Sequence, residues 1–407
     1  MKVVFITPVT PYKENMRGPS GLPYHLMVKR PKGVDITIYS YNQNHLSPET
    51  IAQVEREIDA EIRLIEQPRW IRWILRLHLT FIRLFLKYPI QYYVRLKENT
   101  LEEIKSLHPD LVWIYCQEFS GLSRQLEGYR RLHTLPDCYS LHFYRRLALR
   151  STVMDLKEYL RVWLMYRKHY RMEYHYPTDK NLIYHLVGEE DTRFLRTILP
   201  NIDARFVRHP HYEIAEPQKE IRFQRPKIRL LFAGRYDLYS QQAADELVAE
   251  MTRLTNRGLA DAYSVTFLGK GWEAHVGRMR DAGFETSHIQ FAPDYIEEIR
   301  KHDIQMQPLS VGTGTKGKVL DALANGLLVV GTEYALENIA VKDGVSCLQY
   351  GHASEAVDIL EEIRKDIPSY EAMAERGRQE VLAHHHREDI SKQLFHQIVC
   401  GSTSSYS

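Results

Sequence analysis

The sequence predicts an α/β protein with two Rossmann-like domains, each built on a parallel β-sheet. Its 407 residues are too many for one ordinary hydrophobic core and suit two domains of roughly 200 residues. Short apolar runs typical of buried strands alternate with helical stretches in both halves of the chain. Between the halves, residues 213–227 are charged, contain two prolines and lack an apolar period, as a linker does. We therefore expect an N-terminal domain over residues 1–212 and a C-terminal domain over residues 228–385.

The predicted strands are short apolar runs, separated by intervals long enough for helices. In the first half they are Lys2–Thr7, Asp35–Tyr39, Ile62–Ile65, Leu111–Tyr115, Cys138–His142 and Leu182–Val187. In the second half they are Ile228–Ala233, Ser264–Gly269, His288–Phe291, Asp303–Pro308, Leu327–Gly331 and Ser346–Leu348. Residues 370–398 have a helical pattern, and residues 401–407 are low in complexity, as expected of a frayed tail.

Composition favours a soluble globular protein in a reducing compartment. Hydrophobic residues make up 44% of the chain and mean hydropathy is −0.41, while a net charge of +2 gives no indication of nucleic-acid binding. The cysteines are widely spaced and none forms a C-x-x-C pair, so neither disulfides nor a metal site are expected. Met1 is followed at once by a predicted strand, without a signal peptide, and no uncharged apolar stretch reaches the roughly 18 residues of a membrane span. We expect a cytoplasmic protein.

The segment from Pro308 to Thr332 carries the main functional signal. After a predicted strand, Gly312 and Gly314 form a loop in which backbone N–H groups can approach a ligand closely. A short helix is predicted over residues 316–325, with Gly326 ending it. A glycine loop, a helix N-terminus and two lysines, Lys316 and Lys318, together predict a phosphate site.

Asp321 lies further along the same predicted helix, where its carboxylate could accept hydrogen bonds from a ribose. A loop that holds a diphosphate and a helix that holds the sugar of a nucleotide predict nucleotide binding.

This segment resembles the donor-binding motif of GT-B glycosyltransferases of family four. The matching residues are Pro308, Gly312, Gly314, Lys318, Leu320, Asp321, Ala322, Ala324, Gly326, Val329 and Val330. Residues 337–339 then match the Glu-Gly-Ile turn of that family, with Asn338 at the glycine position. The resemblance implies the GT-B fold, in which two Rossmann-like parallel-sheet domains face a cleft. It also implies that a helix in residues 386–407 packs back on the N-terminal domain.

The resemblance implies further donor-binding residues in the C-terminal domain. Gly234 and Arg235 stand where the family has a Gly-Arg pair whose arginine reaches the donor diphosphate. The lysine that usually follows is absent, since residues 240–242 are Ser-Gln-Gln, which leaves Lys316 or Lys318 to supply a second cation. Thr313 replaces a common glutamate, as in a branch that has Ser or Thr between glycines, and Asp321 replaces the usual glutamate.

Residues of the N-terminal domain complete the expected site. Family members carry a glycine pair in the first loop, and Gly18 and Gly21 match it loosely. His142 ends a predicted strand, where the family often has a histidine close to the donor sugar. The expected catalytic residues are His142, Arg235 and Lys318. The expected donor-binding residues are Gly18, Gly21, Gly234, Gly312, Thr313, Gly314, Thr315, Lys316 and Asp321.

No D-x-D triplet occurs in the sequence, so we expect a metal-independent enzyme without a cofactor. The leaving diphosphate would be stabilised by Arg235, Lys316, Lys318 and a helix N-terminus, because fixed positive charge then lies where negative charge develops.

A basic and aromatic stretch, residues 69–87, predicts contact with a membrane. It contains no acid, and on one helical wheel its cations form a narrow stripe on an otherwise apolar surface: Arg69, Arg72, Arg76, Arg83 and Lys87. Such a helix suits an anionic membrane interface. The alternative is a buried helix with one solvated basic face. Basic residues recur between Arg145 and Arg171, which favours an anionic surface or a lipid-diphosphate acceptor.

The sequence therefore predicts a glycosyltransferase that moves a sugar from a nucleotide-sugar donor to a glycan or lipid-linked acceptor. The resemblance implies retention of anomeric configuration and a role in cell-surface polysaccharide or glycolipid synthesis at the inner face of the cell membrane. Two alternatives remain open: a GT-B sugar-nucleotide epimerase and a non-catalytic nucleotide-sugar-binding subunit.

Overall fold

A computed structural model describes residues 1–15, 19–79, 81–149, 154–218, 220–253 and 258–399. The chain divides into two compact units. The first unit comprises residues 1–210 together with the segment from Arg387 onward, and the second comprises His211–His386. Each unit has its own parallel sheet and its own hydrophobic core, so the α/β prediction of two Rossmann-like domains is confirmed.

The first unit is built on a parallel sheet that has seven strands among the described residues, in the order β3-β2-β1-β4-β5-β6-β7. Its strands are β1 (Lys2–Thr7), β2 (Asp35–Ser40), β3 (Glu61–Leu64), β4 (Leu111–Tyr115), β5 (Arg131–Leu135), β6 (Leu182–Leu186) and β7 (Ala204–Phe206). The helices before the crossover are α1 (Gly21–Met27), α2 (Pro48–Ile58), α3 (Arg69–Arg76), α4 (Ile82–Phe85), α5 (Glu98–Ser106), α6 (Ser120–Gln125), α7 (Tyr139–Ala148), α8 (Leu156–Tyr174) and α9 (Glu189–Ile198). Short 3₁₀ turns cover Ile90–Tyr93 and Gln117–Phe119.

The second unit repeats this plan with six strands in its described part, in the order β10-β9-β8-β11-β12-β13. Its strands are β8 (Ile228–Ala233), β9 (Tyr263–Leu268), β10 (Glu285–Ile289), β11 (Ile304–Gln307), β12 (Leu328–Gly331) and β13 (Leu348–Gln349). Its helices are α10 (Gln241–Arg253), α11 (Leu259–Ala262), α12 (Glu273–Asp281), α13 (Tyr295–Ile299), α14 (Gly317–Ala324), α15 (Glu333–Leu336), α16 (Ala353–Lys365) and α17 (Ile367–His384).

Both sheets are covered on two faces, which explains why their strands are apolar at consecutive positions. In β8, Leu230 and Phe232 belong to one core cluster, while Leu231 and Ala233 belong to the cluster on the other face. The central strand β1 alternates between two clusters of the first unit in the same way. A parallel sheet buried on both faces is the usual basis of a doubly wound domain.

The C-terminal segment returns to the first unit. Helix α18 (Arg387–Gln393) packs on α1, and the Ser391 hydroxyl donates to the Leu26 carbonyl at 2.6 Å. The π-helical turn Leu394–Val399 follows. The ring of Phe395 is 1% exposed and lies edge-on to Trp113 of β4, with 5.8 Å between centroids. The end of the chain thus belongs to the core of the unit in which the chain begins.

Two predicted elements are wrong in position. The strand predicted over Cys138–His142 lies instead at β5, and Cys138 precedes α7. The apolar pattern does not predict β5 because this strand contains the polar residues Arg131 and His133. Arg131 is nevertheless 1% exposed, since its guanidinium pairs with Asp179 and donates to the Ser123 carbonyl at 2.6 Å.

The single helix predicted over residues 69–87 is also wrong. Helix α3 ends at Arg76, and His78 has a positive φ of 53° that an α-helix does not accommodate. Helix α4 then covers only Ile82–Phe85. Arg69, Arg72 and Arg76 therefore lie in α3, Arg83 lies in α4 and Lys87 lies beyond both helices, so the cations do not form one stripe. Among the described helices, none is long and apolar enough to cross a membrane.

Candidate functional site

The glycine loop and α14 of the second unit form the candidate site. The loop follows β11, and α14 begins at Gly317. A Cβ atom on Gly312 would lie 2.6 Å from Cε of Lys316, which would have to move, and Gly314 has a φ of +61°, which favours glycine. Asn338 has a φ of 68° and donates from its amide to the Gly314 carbonyl at 2.8 Å. Asparagine tolerates this conformation, which explains how it stands at a glycine position of the resembled motif.

The two lysines of the loop and helix have different surroundings. The Lys316 ammonium donates to the carbonyls of Thr313, at 2.8 Å, and Gly314, at 3.3 Å, so it closes the glycine loop. The Lys318 ammonium lies 5.3 Å from the ring centroid of Tyr295, the first residue of α13. Lys316 therefore supports the glycine loop, whereas Lys318 lies beside Tyr295.

Arg235 approaches Lys318 from the end of β8. A Cβ atom on Gly234 would lie 3.9 Å from the Lys318 ammonium. Burial lowers the pKa of Lys318, Asp321 and Asp237 oppose that effect, and Arg235 adds to it. Gly234 itself is packed closely, because a Cβ atom on Gly269 would lie 2.1 Å from the Gly234 carbonyl oxygen. The segments that follow β8 and β11 thus bring Arg235, Lys318 and Asp321 into one charged group.

Asp321 is buried within this group and is 7% exposed. Burial raises the pKa of its carboxyl to about 7, while the backbone N–H of Tyr212 and the charge of Lys318 act in the opposite direction. Its Oδ1 atom has no hydrogen-bond partner in the described part of the protein. Since a buried carboxylate normally accepts hydrogen bonds, this oxygen is available to a ligand.

The position of the group within the sheet suits ligand binding. Strands β8 and β11 are adjacent, and the order of strands reverses between them. In doubly wound sheets, ligands bind outside the carboxyl ends of the strands at such a switch point. The loops that follow β8 and β11, together with α14, contribute all the second-unit residues expected from the sequence: Gly234, Arg235, Gly312, Thr313, Gly314, Thr315, Lys316, Lys318 and Asp321.

The expected residues of the first unit are less well supported. Gly21 is buried at the start of α1, and its N–H donates to the Asn15 side chain at 2.9 Å. Gly18 lies outside the described residues. His142 lies within α7 and is 7% exposed. Because β5 ends at Leu135, His142 does not occupy the strand end on which its assignment depended, and its catalytic role stays a prediction.

A buried ionisable pair in the first unit has no signal in the sequence. Glu118 follows β4, and its carboxylate lies 3.7 Å from Nε2 of His169 on α8. Burial raises the pKa of Glu118 to about 7 and lowers the pKa of His169 to about 3. The two residues are far apart in sequence and belong to no motif, so only the fold brings them together. As for metals, the described residues contain no group of three or more His, Cys, Asp or Glu suited to hold an ion.

Comparison with known proteins agrees with this geometry. Residues 227–366 match the family described as glycosyl transferases group 1. Curated proteins yield no significant match. Among solved structures, Anabaena HepE in complex with UDP has a TM-score of 0.61 at 10% identity, covering 98% of this chain and 100% of that chain. Sucrose-phosphate synthase from Thermosynechococcus elongatus has a TM-score of 0.62 at 13% identity, covering 99% and 100% respectively.

A third solved structure is WaaG, a glycosyltransferase involved in lipopolysaccharide biosynthesis, with a TM-score of 0.58 at 12% identity over 98% of this chain and 100% of that chain. At these identities the likeness concerns the fold. The chain has the GT-B fold, and the match of residues 227–366 to group 1 glycosyl transferases confirms the resemblance found in the donor motif. The protein is accordingly an enzyme of glycosyl transfer.

Proposed function

We propose that this enzyme moves a sugar from a nucleoside-diphosphate sugar to a glycan or lipid-linked acceptor, with retention of configuration. The observation that carries the proposal is the convergence of Arg235, Lys318 and Asp321 at the switch point of the second sheet. Two cations beside the N-terminus of α14 suit a diphosphate, and a buried carboxylate suits the hydroxyls of a ribose. HepE is a structure with bound UDP and UDP-glucose, which makes uridine nucleotides the first donors to test.

The residues present provide electrostatic stabilisation for the leaving diphosphate. As the bond from the sugar to the diphosphate breaks, negative charge grows on the oxygen atoms near Arg235 and Lys318. Charges held in place by the loop after β8 and by α14 need little reorganisation, and such preorganisation is a large part of catalysis. This assignment requires no metal ion, and metal independence belongs to the proposal.

The acceptor side of the proposal rests on the surface of the first unit, at the inner face of the cell membrane. Residues 69–87 present large apolar side chains to solvent: Trp70, Trp73, Leu77, Phe81, Leu84 and Phe85. Helix α8 contacts this segment, since the Lys168 ammonium donates to the Arg83 carbonyl, and it also exposes Leu156, Leu160 and Trp163. Exposed apolar side chains among arginines suit insertion at an anionic lipid interface, where a lipid-linked acceptor is presented.

A thermal-shift panel of UDP, GDP, ADP, CMP and their sugars tests the donor. A bound nucleotide stabilises the protein by about 2.7 kcal/mol at a hundredfold excess over its Kd. Release of free sugar from the stabilising donor, in the absence of acceptor, identifies a transferase that can use water. Appearance of an epimer would support the epimerase instead. Binding with no turnover on any acceptor would favour a non-catalytic subunit, and the absence of any shift would contradict nucleotide binding.

A further inference from the structure

Tyr295 places a second unpartnered polar atom in the candidate donor site. It is the first residue of α13 and packs against the apolar cluster that contains Val319, Leu320 and Leu323 of α14. Its hydroxyl oxygen is buried and has no hydrogen-bond partner among the described residues. One face of its ring lies under the Lys318 ammonium.

Tyr295 also lies near Asp321, since it packs against α14 and its ring lies beside the Lys318 ammonium. The charge of Asp321 contributes to a raised pKa of Tyr295, after the larger effect of burial, so the two groups lie within electrostatic reach of each other. Both atoms are buried and unpartnered, although native proteins pair nearly all such atoms. Two such unpartnered atoms beside the proposed diphosphate-binding loop indicate that a ligand forms hydrogen bonds with them.

The chemistry of the two atoms restricts the ligand. A carboxylate only accepts hydrogen bonds, whereas a phenol both donates and accepts. A phosphate oxygen would be repelled by the carboxylate and could bond only to the phenol. A vicinal diol satisfies both atoms, because one hydroxyl donates to Asp321 and the other bonds to Tyr295. In a nucleoside diphosphate, the ribose carries this diol and is attached directly to the diphosphate.

We propose that Tyr295 is a donor-binding residue that, together with Asp321, binds the ribose diol of the nucleotide. The inference rests on the proposed function, since it concerns the same donor. It makes the second unit selective for ribonucleotides over deoxyribonucleotides. It also gives the Tyr295 ring a separate role, which is to support the Lys318 ammonium beside the diphosphate.

The test compares Tyr295→Phe with Tyr350→Phe by calorimetry. Tyr350 is a matched control, because it is buried in the other core cluster of the same unit and its hydroxyl is also unpartnered among the described residues. The probes are UDP, GDP and ADP and their 2′,3′-dideoxy analogues. Tyr295→Phe keeps the ring under Lys318 and should weaken binding of the ribonucleotide about five- to twentyfold, and of the dideoxy analogue by less than about twofold.

The melting temperatures of the variants distinguish ligand binding by Tyr295 from a purely structural role. Removal of an unsatisfied hydroxyl should leave the melting temperature of the free protein unchanged or raised in both variants. Equal loss of affinity for both nucleotide forms, unchanged affinity for the ribonucleotide, or a loss of stability specific to Tyr295→Phe would overturn the inference while the proposed function stands. Absence of nucleotide binding by the unmodified protein would overturn the proposed function, and the inference with it.

Discussion

Lys318 and Asp321 each carry a charge that burial opposes. Burial lowers the pKa of the lysine and raises the pKa of the aspartic acid, and each charge reduces the shift of the other. The pair is therefore incompletely stabilised without a ligand. A diphosphate would stabilise the ammonium and a diol would stabilise the carboxylate, so the cost of burying these groups is offset when the donor binds.

Loss of either cation should weaken use of the donor. We expect Lys318→Ala and Arg235→Ala each to lower kcat/KM for the nucleotide sugar at least about tenfold, because a hydrogen bond to a charged group contributes about 1.5–3 kcal/mol. Steady-state kinetics with the donor found by the thermal-shift panel measures the effect. Arg253→Ala is the control, since Arg253 pairs with Glu250 on the exposed side of α10. Near-normal turnover by both site variants would remove these residues from the site.

The raised pKa of Asp321 makes stability depend on pH. The folded protein holds this proton more tightly than the unfolded chain, so the stabilising effect is complete below about pH 4 and is lost as pH rises through about 7. Relative to that of Asp321→Asn, the free energy of unfolding of the wild-type protein should fall by up to about 1.4 kcal/mol per pH unit across this range. Urea unfolding of both proteins from pH 5 to pH 8 measures the difference. A constant difference would mean that Asp321 titrates normally.

At the scale of elements, the sequence predicts most strands but not those stabilised by distant polar partners. Strands β1, β4 and β8 consist mostly of apolar residues and match their predicted bounds. Strand β5 was missed because Arg131 looks exposed until Asp179, 48 residues away, is placed beside it. The strand-like run at Cys138 instead begins a helix, where the Cys138 N–H donates to Asp191 at 2.8 Å. Neither partner can be identified from local pattern.

The candidate site divides in the same way. The glycine loop, Lys318 and Asp321 follow one another closely in sequence, so a motif reveals them. Tyr295 lies on a different helix, and its proposed role depends on the packing of α13 beside α14. No spacing rule connects Tyr295 with Asp321. Residues that act through a tertiary contact therefore require the structure, whereas a contiguous ligand loop does not.

Residues 69–87 should bind anionic liposomes through both charge and apolar contact. Each basic residue near such a surface contributes about 1 kcal/mol, and salt screens that contribution. We expect Arg72→Gln, Arg76→Gln and Arg83→Gln together to abolish the salt-sensitive part of binding. Cosedimentation with phosphatidylserine vesicles at low and high salt measures it.

A second variant examines the apolar part. Trp73, Phe81 and Phe85 are 58%, 58% and 83% exposed, so changing all three to serine should reduce binding at every salt concentration with little effect on folding. Phosphatidylcholine vesicles are the control for charge. Binding that ignores salt and both variants would contradict a role for this segment.

At the scale of the whole molecule, the two units have separate cores but share one chain. Phe395 belongs to the first core although it follows the entire second unit in sequence. We expect Phe395→Ala to destabilise the first unit by about 3–5 kcal/mol, the usual cost of removing a buried phenylalanine. Hydrogen exchange read by mass spectrometry, unit by unit, measures the effect, and nucleotide binding by the second unit should persist.

Phe267→Ala is the converse variant, because Phe267 is fully buried and stacks on Phe232 in the second core. It should increase exchange in the second unit and weaken nucleotide binding. If either variant destabilised both units equally, the cores would unfold as one cooperative body.

The returning C-terminal segment has a consequence for synthesis of the protein. A ribosome delivers the chain from its first residue onward, and domains generally fold as they emerge. Here Ile390, Leu394 and Phe395 emerge only after residues 211–386. The apolar surface of Trp113 and α1 therefore stays uncovered while the whole second unit is made. The unit translated first is completed last, and a nascent chain halted after His386 would carry a finished second unit joined to a first unit that still exposes its core to chaperones.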